Sequence, residues 1–280
     1  MTDLSLAALT VLDAGPAGQI RAAAAASFPS VGLRLQPLLA TDVIVVGQTS
    51  REREVQALLA ETGVRVLEVG VFPIRTEVET RHYDPVIVFC GRIGARYLVC
   101  PVENPDRLER LQAFRAVCDQ ALRHNVAALI EFNPYSACRT LADAVEIVEA
   151  ANRQNAGLVI DAMHLSRSGG SPADLATVDP SLLRLVHLCD ASTPPNTARS
   201  RGELRAESRA ARRLPGEGAL WLDELLDGLP SDVGMSIEAP SATTAHLSAA
   251  ERAKRAYEVT QDFLARRSER ARAWSKRANP

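Results

Sequence analysis

At 280 residues with 46% hydrophobic side chains, the chain can bury a large core, and its length suits one α/β barrel of about 250 residues plus a tail. A formal net charge of −2 gives no electrostatic reason to expect nucleic acid or an anionic membrane as partner. No run approaches the ~18 apolar residues of a transmembrane span, and the first residues lack the basic-then-apolar layout of a signal peptide, so a cytoplasmic location is expected.

In chain order, strand-like and helix-like segments alternate, which favours a parallel sheet with crossover helices. Residues 4–11 predict a first strand and 20–27 an alanine-rich helix. A second strand follows at 30–35. The third unit couples a helix at 51–61 to a strand at 64–69, and the fourth couples a helix at 85–93 to a strand at 96–100. Leu108, Leu111, Phe114, Val117, Cys118 and Ala121 recur at three- and four-residue spacing, so one stripe of that helix packs on the barrel while Arg107, Glu109 and Arg110 face water. Residues 141–152 repeat the scheme with Leu141, Ala144, Val145, Val148 and Ala151. After a strand near His187, Trp221 opens a short helix, a strand leads to Glu238, and a long helix begins near Ser248. Eight strands result, predicting a (β/α)8 barrel over residues 1–265. Residues 266–280 form a densely basic C-terminal extension, read as a solvated, partly frayed continuation of the last helix.

Four apolar runs each end on a carboxylate or an imidazole: Glu131, Asp161, His187 and Glu238. The C-terminal rim of a barrel sheet is where such enzymes build their sites, so the four are expected to converge on one divalent ion. Three carboxylates and one imidazole form an oxygen-rich set that suits Mn2+, Mg2+ or Co2+, with Zn2+ left open. The five cysteines (Cys90, Cys100, Cys118, Cys138, Cys189) show no CxxC spacing and read as buried, reduced thiols. By strand alternation Cys189 shares a side with His187.

His164 lies one turn beyond Asp161, close enough to reach the same bound substrate. It precedes a polar loop in which Arg167 is placed to bind an anionic or hydroxylated substrate end. The longest connection, residues 191–218, carries Arg199, Arg201, Arg205, Arg209, Arg212 and Arg213. Its length suggests a lid, and part of it has the composition of a helix. Arg209 and Arg212, near the Pro-Gly end, have the best claim to point inward.

Glu131-Phe132-Asn133, Asp161-Ala162-Met163-His164, His187-Leu188-Cys189-Asp190, the segment from Arg212 to Gly218 and Ser236-Ile237-Glu238 together resemble the xylose-isomerase-like TIM-barrel superfamily of sugar phosphate isomerases and epimerases, over nearly the whole chain. Inosose and 3-dehydroshikimate dehydratases share that scaffold. The resemblance implies that Glu131, Asp161, His187 and Glu238 bind one divalent metal, that Glu131 and Glu238 also act as acid and base, and that His164 and Arg212 contact substrate. Some epimerases carry a further glutamate where this chain has Ala137. The implied reaction is proton abstraction next to a carbonyl through an enediolate, on a small sugar, keto-polyol or cyclitol. Return of the proton gives epimerisation or aldose-ketose isomerisation; loss of a β-hydroxyl gives dehydration, the alternative reading. A noncatalytic sugar-binding barrel is a weaker alternative. The endonuclease IV branch needs extra histidines that the strand ends near Val69 and Val99 lack. Oligomeric state, including a homo-oligomer, is left open.

Overall fold

The computed structural model describes residues 4–38, 40–76, 79–193 and 199–278, with side chains as far as Arg272. Eight parallel strands close into a barrel in sequence order. They are β1 (Leu4–Leu6), β2 (Ser30–Leu33), β3 (Arg65–Gly70), β4 (Tyr97–Pro101), β5 (Ala127–Glu131), β6 (Ala156–Asp161), β7 (Leu183–Leu188) and β8 (Gly234–Ile237). Closure pairs Leu4 with Met235, Ser5 with Ser236 and Leu6 with Ile237. The helices are α1 (Gly15–Ala25), α2 (Thr49–Thr62), α3 (Asp84–Arg92), α4 (Arg107–Leu122), α5 (Leu141–Ala151), α6 (Ala162–Arg167), α7 (Arg201–Ala210), α8 (Leu222–Asp227) and α9 (Ala249–Ala278).

Local chemistry sets several of these boundaries. Asp106 caps α4 by accepting from the Glu109 amide, and Thr140 with Asp143 forms a reciprocal capping box at α5, each satisfying amides that the first helical turn leaves unpaired. Gly63 ends α2 in the left-handed region at φ 68°, where a side chain would be strained.

Strand alternation divides the core into two shells. Ile130, Ile160 and Val186 face the helices within the large outer cluster. Leu129, Val159 and Leu185 instead join Leu67, Tyr97 and Val99 in a small apolar plug inside the barrel. This plug closes the interior below the polar groups at the C-terminal ends of the strands.

The first two strands are shorter than the sequence expectation, β2 ending at Leu33, and β3 carries an irregularity. Residues 4–11 do not form one strand: pairing stops at Leu6, and Ala8–Ala14 coils into a 3-10 helix. The Thr10 hydroxyl donates to Ile237 O at 2.8 Å and accepts from Ala239 N at 2.9 Å, so this turn satisfies the end of β8 instead of extending β1. In β3, pairing with β2 passes from Val31↔Val66 directly to Gly32↔Glu68. The extra residue, Leu67, makes a bulge that lets both Leu67 and Glu68 face the interior.

The basic extension continues α9, and its first part is docked: Arg270 pairs with Asp223 at 2.6 Å, and Arg267 bonds Asp227. The side chains of Trp274, Lys276 and Arg277 lie outside the described residues. Among the described residues no helix is long and apolar enough to cross a membrane.

Candidate metal and catalytic site

The four rim residues meet. Glu131 ends β5, Asp161 ends β6, His187 is the penultimate residue of β7, and Glu238 follows β8, its amide still bonded to Leu188 O at 3.2 Å. One ligand-type atom from each lies within 4.8 Å of all the others. His187 Nδ1 faces the cluster, 3.0 Å from Glu131 Oε1 and 3.6 Å from Glu238 Oε2. Three carboxylates and one imidazole held so close fit a divalent cation by donor chemistry.

Arg212 closes one side of the cluster. It is 2% exposed; Nη1 donates to Asp161 Oδ2, and Nη2 lies 3.2 Å from Glu238 Oε2 and 3.4 Å from His164 Nε2. Its own orientation is fixed from behind, because Nε donates to Ser208 O at 2.8 Å and its amide to Pro240 O at 3.1 Å. Asp190 anchors the base of the same segment by accepting from the amides of Ala191, Gly216, Gly218 and Leu220. Arg212 therefore stands at the cluster without any swing of a lid. Residues 194–198 of that connection lie outside the described residues.

His164 is also buried, in the first turn of α6, where Asp161 Oδ1 accepts from its amide at 2.8 Å. Tyr135 packs edge-on against its ring, with centroids 5.6 Å apart. The Tyr135 hydroxyl reaches Ser208 Oγ at 2.8 Å, so α7 and the β5 exit are linked beside the site.

The structure does not bring Arg167 and Arg209 to the cluster. Arg167 reaches sideways to Glu207 of α7, at 3.0 and 2.8 Å, and to Ser192 O at 2.8 Å. Arg209 is exposed and lines a cavity of 670 Å3 with Arg34, Asp42 and Pro240. Cys189 does face the site, 3.3 Å from Arg212 Nη1, but burial pushes its thiol up to about 12, so it stays protonated and non-nucleophilic.

Sequence reasoning passed over Glu68. This buried carboxylate accepts from His187 Nε2 at 2.7 Å and from Ser236 Oγ at 2.6 Å. A single charge inside an otherwise apolar strand was its signal in the sequence.

Electrostatics separates the carboxylates. Burial opposes charge on Asp161, yet Arg212 beside it holds the carboxyl well below the usual carboxylate range. Burial likewise opposes charge on Glu131, and the hydrogen bond from His187 outweighs it and lowers the value. For Glu238 burial wins over His187 and Arg212 and pushes the carboxyl up to about 7. His187 loses solvation too, but Glu68 and Glu238 raise it well above an ordinary imidazole. Burial lowers His164, consistent with a neutral ring whose Nε2 accepts from Arg212.

The sequence model of the family described as xylose isomerase-like TIM barrel matches residues 20–266. The inosose isomerase of Bacillus licheniformis is 29% identical over 191 residues, 63% of this chain and 66% of that protein. That of Halalkalibacterium halodurans is 32% identical over 148 residues, 51% of this chain and 50% of that protein. The chain thus matches less than two thirds of either relative's length. An IolI protein with a bound zinc atom shares the fold with a TM-score of 0.75 at 20% identity, covering 95% of this chain and 99% of that one. D-allulose 3-epimerase from Methylomonas sp., in complex with D-allulose, does so with a TM-score of 0.69 at 15% identity, covering 94% and 97%.

Proposed function

The chain belongs to the xylose isomerase-like TIM-barrel family, and we propose that it is a divalent-metal-dependent isomerase or epimerase of small cyclic polyols or sugars bearing a carbonyl. The observation that carries this reading is the convergence of Glu131, Asp161, His187 and Glu238 within 4.8 Å at the rim of the barrel. These four would hold the ion, Mn2+, Mg2+ or Co2+ suiting the oxygen-rich set and Zn2+ remaining compatible with it. A divalent ion there supplies Lewis-acid polarisation of the substrate carbonyl, worth several kcal/mol of charge stabilisation.

The protein side of the chemistry follows from two carboxylates whose proton affinities are pushed apart. Glu131, whose proton affinity is lowered, is the base that takes the proton next to the carbonyl; Glu238, whose proton affinity burial raises, is the partner that returns one, and an ion bound to both would lower each. Return to the same carbon from the other face epimerises it, whereas return to the neighbouring carbon moves the carbonyl. Arg212 presents donors to substrate oxygens beside these carboxylates, and neutral His164, whose Nε2 accepts from Arg212, lines the same space. The inosose isomerases of the two bacteria support a keto-cyclitol as the first substrate to test.

The test is proton exchange from deuterated water into a panel of inososes, ketoses and 3-dehydroshikimate, followed by proton NMR with and without added Mn2+, Mg2+, Co2+ or Zn2+. Metal-dependent exchange beside the carbonyl, with a rearranged product, is expected for at least one inosose or ketose. Loss of water from the substrate would make the protein a dehydratase on the same scaffold. Exchange that survives chelation, or none with any substrate, would sink the reading.

A further inference from the structure

We propose that Glu68 is a positioning residue for cation binding: it fixes the ring of His187 and keeps a proton on Nε2, so that Nδ1 is the nitrogen left to bind a cation in the rim cluster. The inference rests on the reading of Glu131, Asp161, His187 and Glu238 as a cation site, and adds to it a residue that contacts no substrate.

A carboxylate can only accept hydrogen bonds, so a contact of 2.7 Å between Glu68 Oε2 and His187 Nε2 requires the proton on Nε2. Nδ1 faces Glu131 and Glu238 and donates to Glu131 Oε1 at 3.0 Å, so it is the nitrogen whose proton a cation in the cluster would replace, while Nε2–H stays on Glu68. With a cation bound, the opposite tautomer would aim an N–H at it and a lone pair at a carboxylate. A ligating histidine held this way by an outer carboxylate is better oriented and more basic toward its ion.

Glu68 is itself held on every side. Ser236 Oγ donates to its other oxygen at 2.6 Å, and the β3 bulge turns the side chain inward from a position that regular alternation would aim at the helices. Gly32 leaves it room: a Cβ there would stand 2.8 Å from Glu68 Oε1, 3.0 Å from its Cγ and 3.1 Å from the amide nitrogen of Ala8. Four strands, β2, β3, β7 and β8, thus spend one interior position each on this arrangement. At 3% exposure Glu68 is out of reach of solvent, and the Ser236 and His187 contacts occupy both its oxygens.

The experiment titrates chelated, reloadable full-length protein with Co2+ alone, following ligand-field absorption, and separately measures melting of the chelated form. Glu68→Ala should weaken Co2+ binding by about 10–100-fold and alter the absorption bands, with a smaller weakening for Ser236→Ala. Glu68→Gln keeps the shape, and its carbonyl can accept from Nε2 while its amide donates to Ser236, so it should recover part of the loss. A merely structural role predicts lower melting of the chelated variants with unchanged Co2+ affinity, and that result overturns the inference. Should Glu68→Ala fail to fold, Ser236→Ala and Glu68→Gln still decide it, since wild-type affinity in both would overturn it. Wild-type protein that binds no Co2+ would remove the cation site and this inference together; a wild type that binds, with variants that bind equally well, removes the inference alone.

Discussion

Arg212 Nη1 donates to Asp161 Oδ2 with both side chains sealed from solvent, at 1% and 0% exposure. The contact ties the end of β6 to the segment that follows α7, and the same guanidinium continues to Glu238 and His164. One cation therefore compensates two of the three carboxylates of the cluster and sets the orientation of a neutral imidazole.

Arg212→Ala leaves Asp161 buried without its partner, and removing one member of such a pair costs about 3–5 kcal/mol. The variant should lose that much in chemical denaturation, and its exchange kinetics should show a raised KM together with a lowered kcat. Arg199→Ala and Arg201→Ala should change kcat/KM little, because Glu207, which Arg199 bonds, is still held by two nitrogens of Arg167, and Arg201 bonds only Tyr135 O. A stable, active Arg212→Ala protein would contradict this account of the site.

Glu131→Gln and Glu238→Gln each remove a proton acceptor while keeping side-chain shape. Turnover should fall by about 10²–10⁴-fold in each, with melting shifted only slightly, because neither glutamate is the sole partner of a buried arginine. The pairing of lost exchange with retained folding is the diagnostic. Activity retained in both variants would rule out the two-carboxylate scheme.

The four-residue cluster was legible because a carboxylate or imidazole ending an apolar strand is a chemical contradiction visible in one dimension. Glu68 was not, although it too interrupts an apolar run. Strict alternation assigns Leu67 to the interior and so sends Glu68 outward; only the bulge against β2 turns both inward. Arg212 could be selected by its place near the Pro-Gly turn, but its burial depends on the four amides gathered by Asp190, contacts between residues up to 30 positions apart. Arg209, three residues earlier, had the same claim in sequence and ends up exposed, because it still belongs to α7, whereas the chain leaves the helix at Ala211 and turns Arg212 to the cluster. The first strand was overextended for a similar reason. Residues 4–11 are apolar enough for a strand, while the Thr10 hydroxyl finds its partners on β8 only if the chain turns.

Cation affinity should depend on pH, and the direction follows from the two raised groups. Glu238 sits near 7 and His187 well above an ordinary imidazole, so at pH 6 both hold protons that a cation must displace. Raising the pH through 7 deprotonates Glu238 first, and affinity for Mn2+ or Co2+ should rise across pH 6–8. Calorimetry in two buffers of different ionisation enthalpy should register proton release on binding. Affinity that is flat over this range, with no protons released, would show that the two groups are already unprotonated or do not ligate.

Arg167 gives the sharpest contrast between the sequence expectation of a substrate contact and its place in the structure. Helix α7 buries only Ser208, so little apolar packing holds it, and polar contacts must do so. The Arg167 pair with Glu207, at 3% and 10% exposure, is charge-assisted and bidentate, the kind of hydrogen bond that contributes about 1.5–3 kcal/mol. Arg167→Ala should therefore speed amide hydrogen exchange over residues 201–210 by about tenfold or more, since about 1.4 kcal/mol corresponds to a factor of ten. Arg212 Nε rests on Ser208 O of the same helix, so kcat should drop and KM rise, both moderately, as that support loosens. A raised KM with unchanged exchange in α7 would instead assign Arg167 to the substrate, and the brace between α6 and α7 would lose its functional meaning.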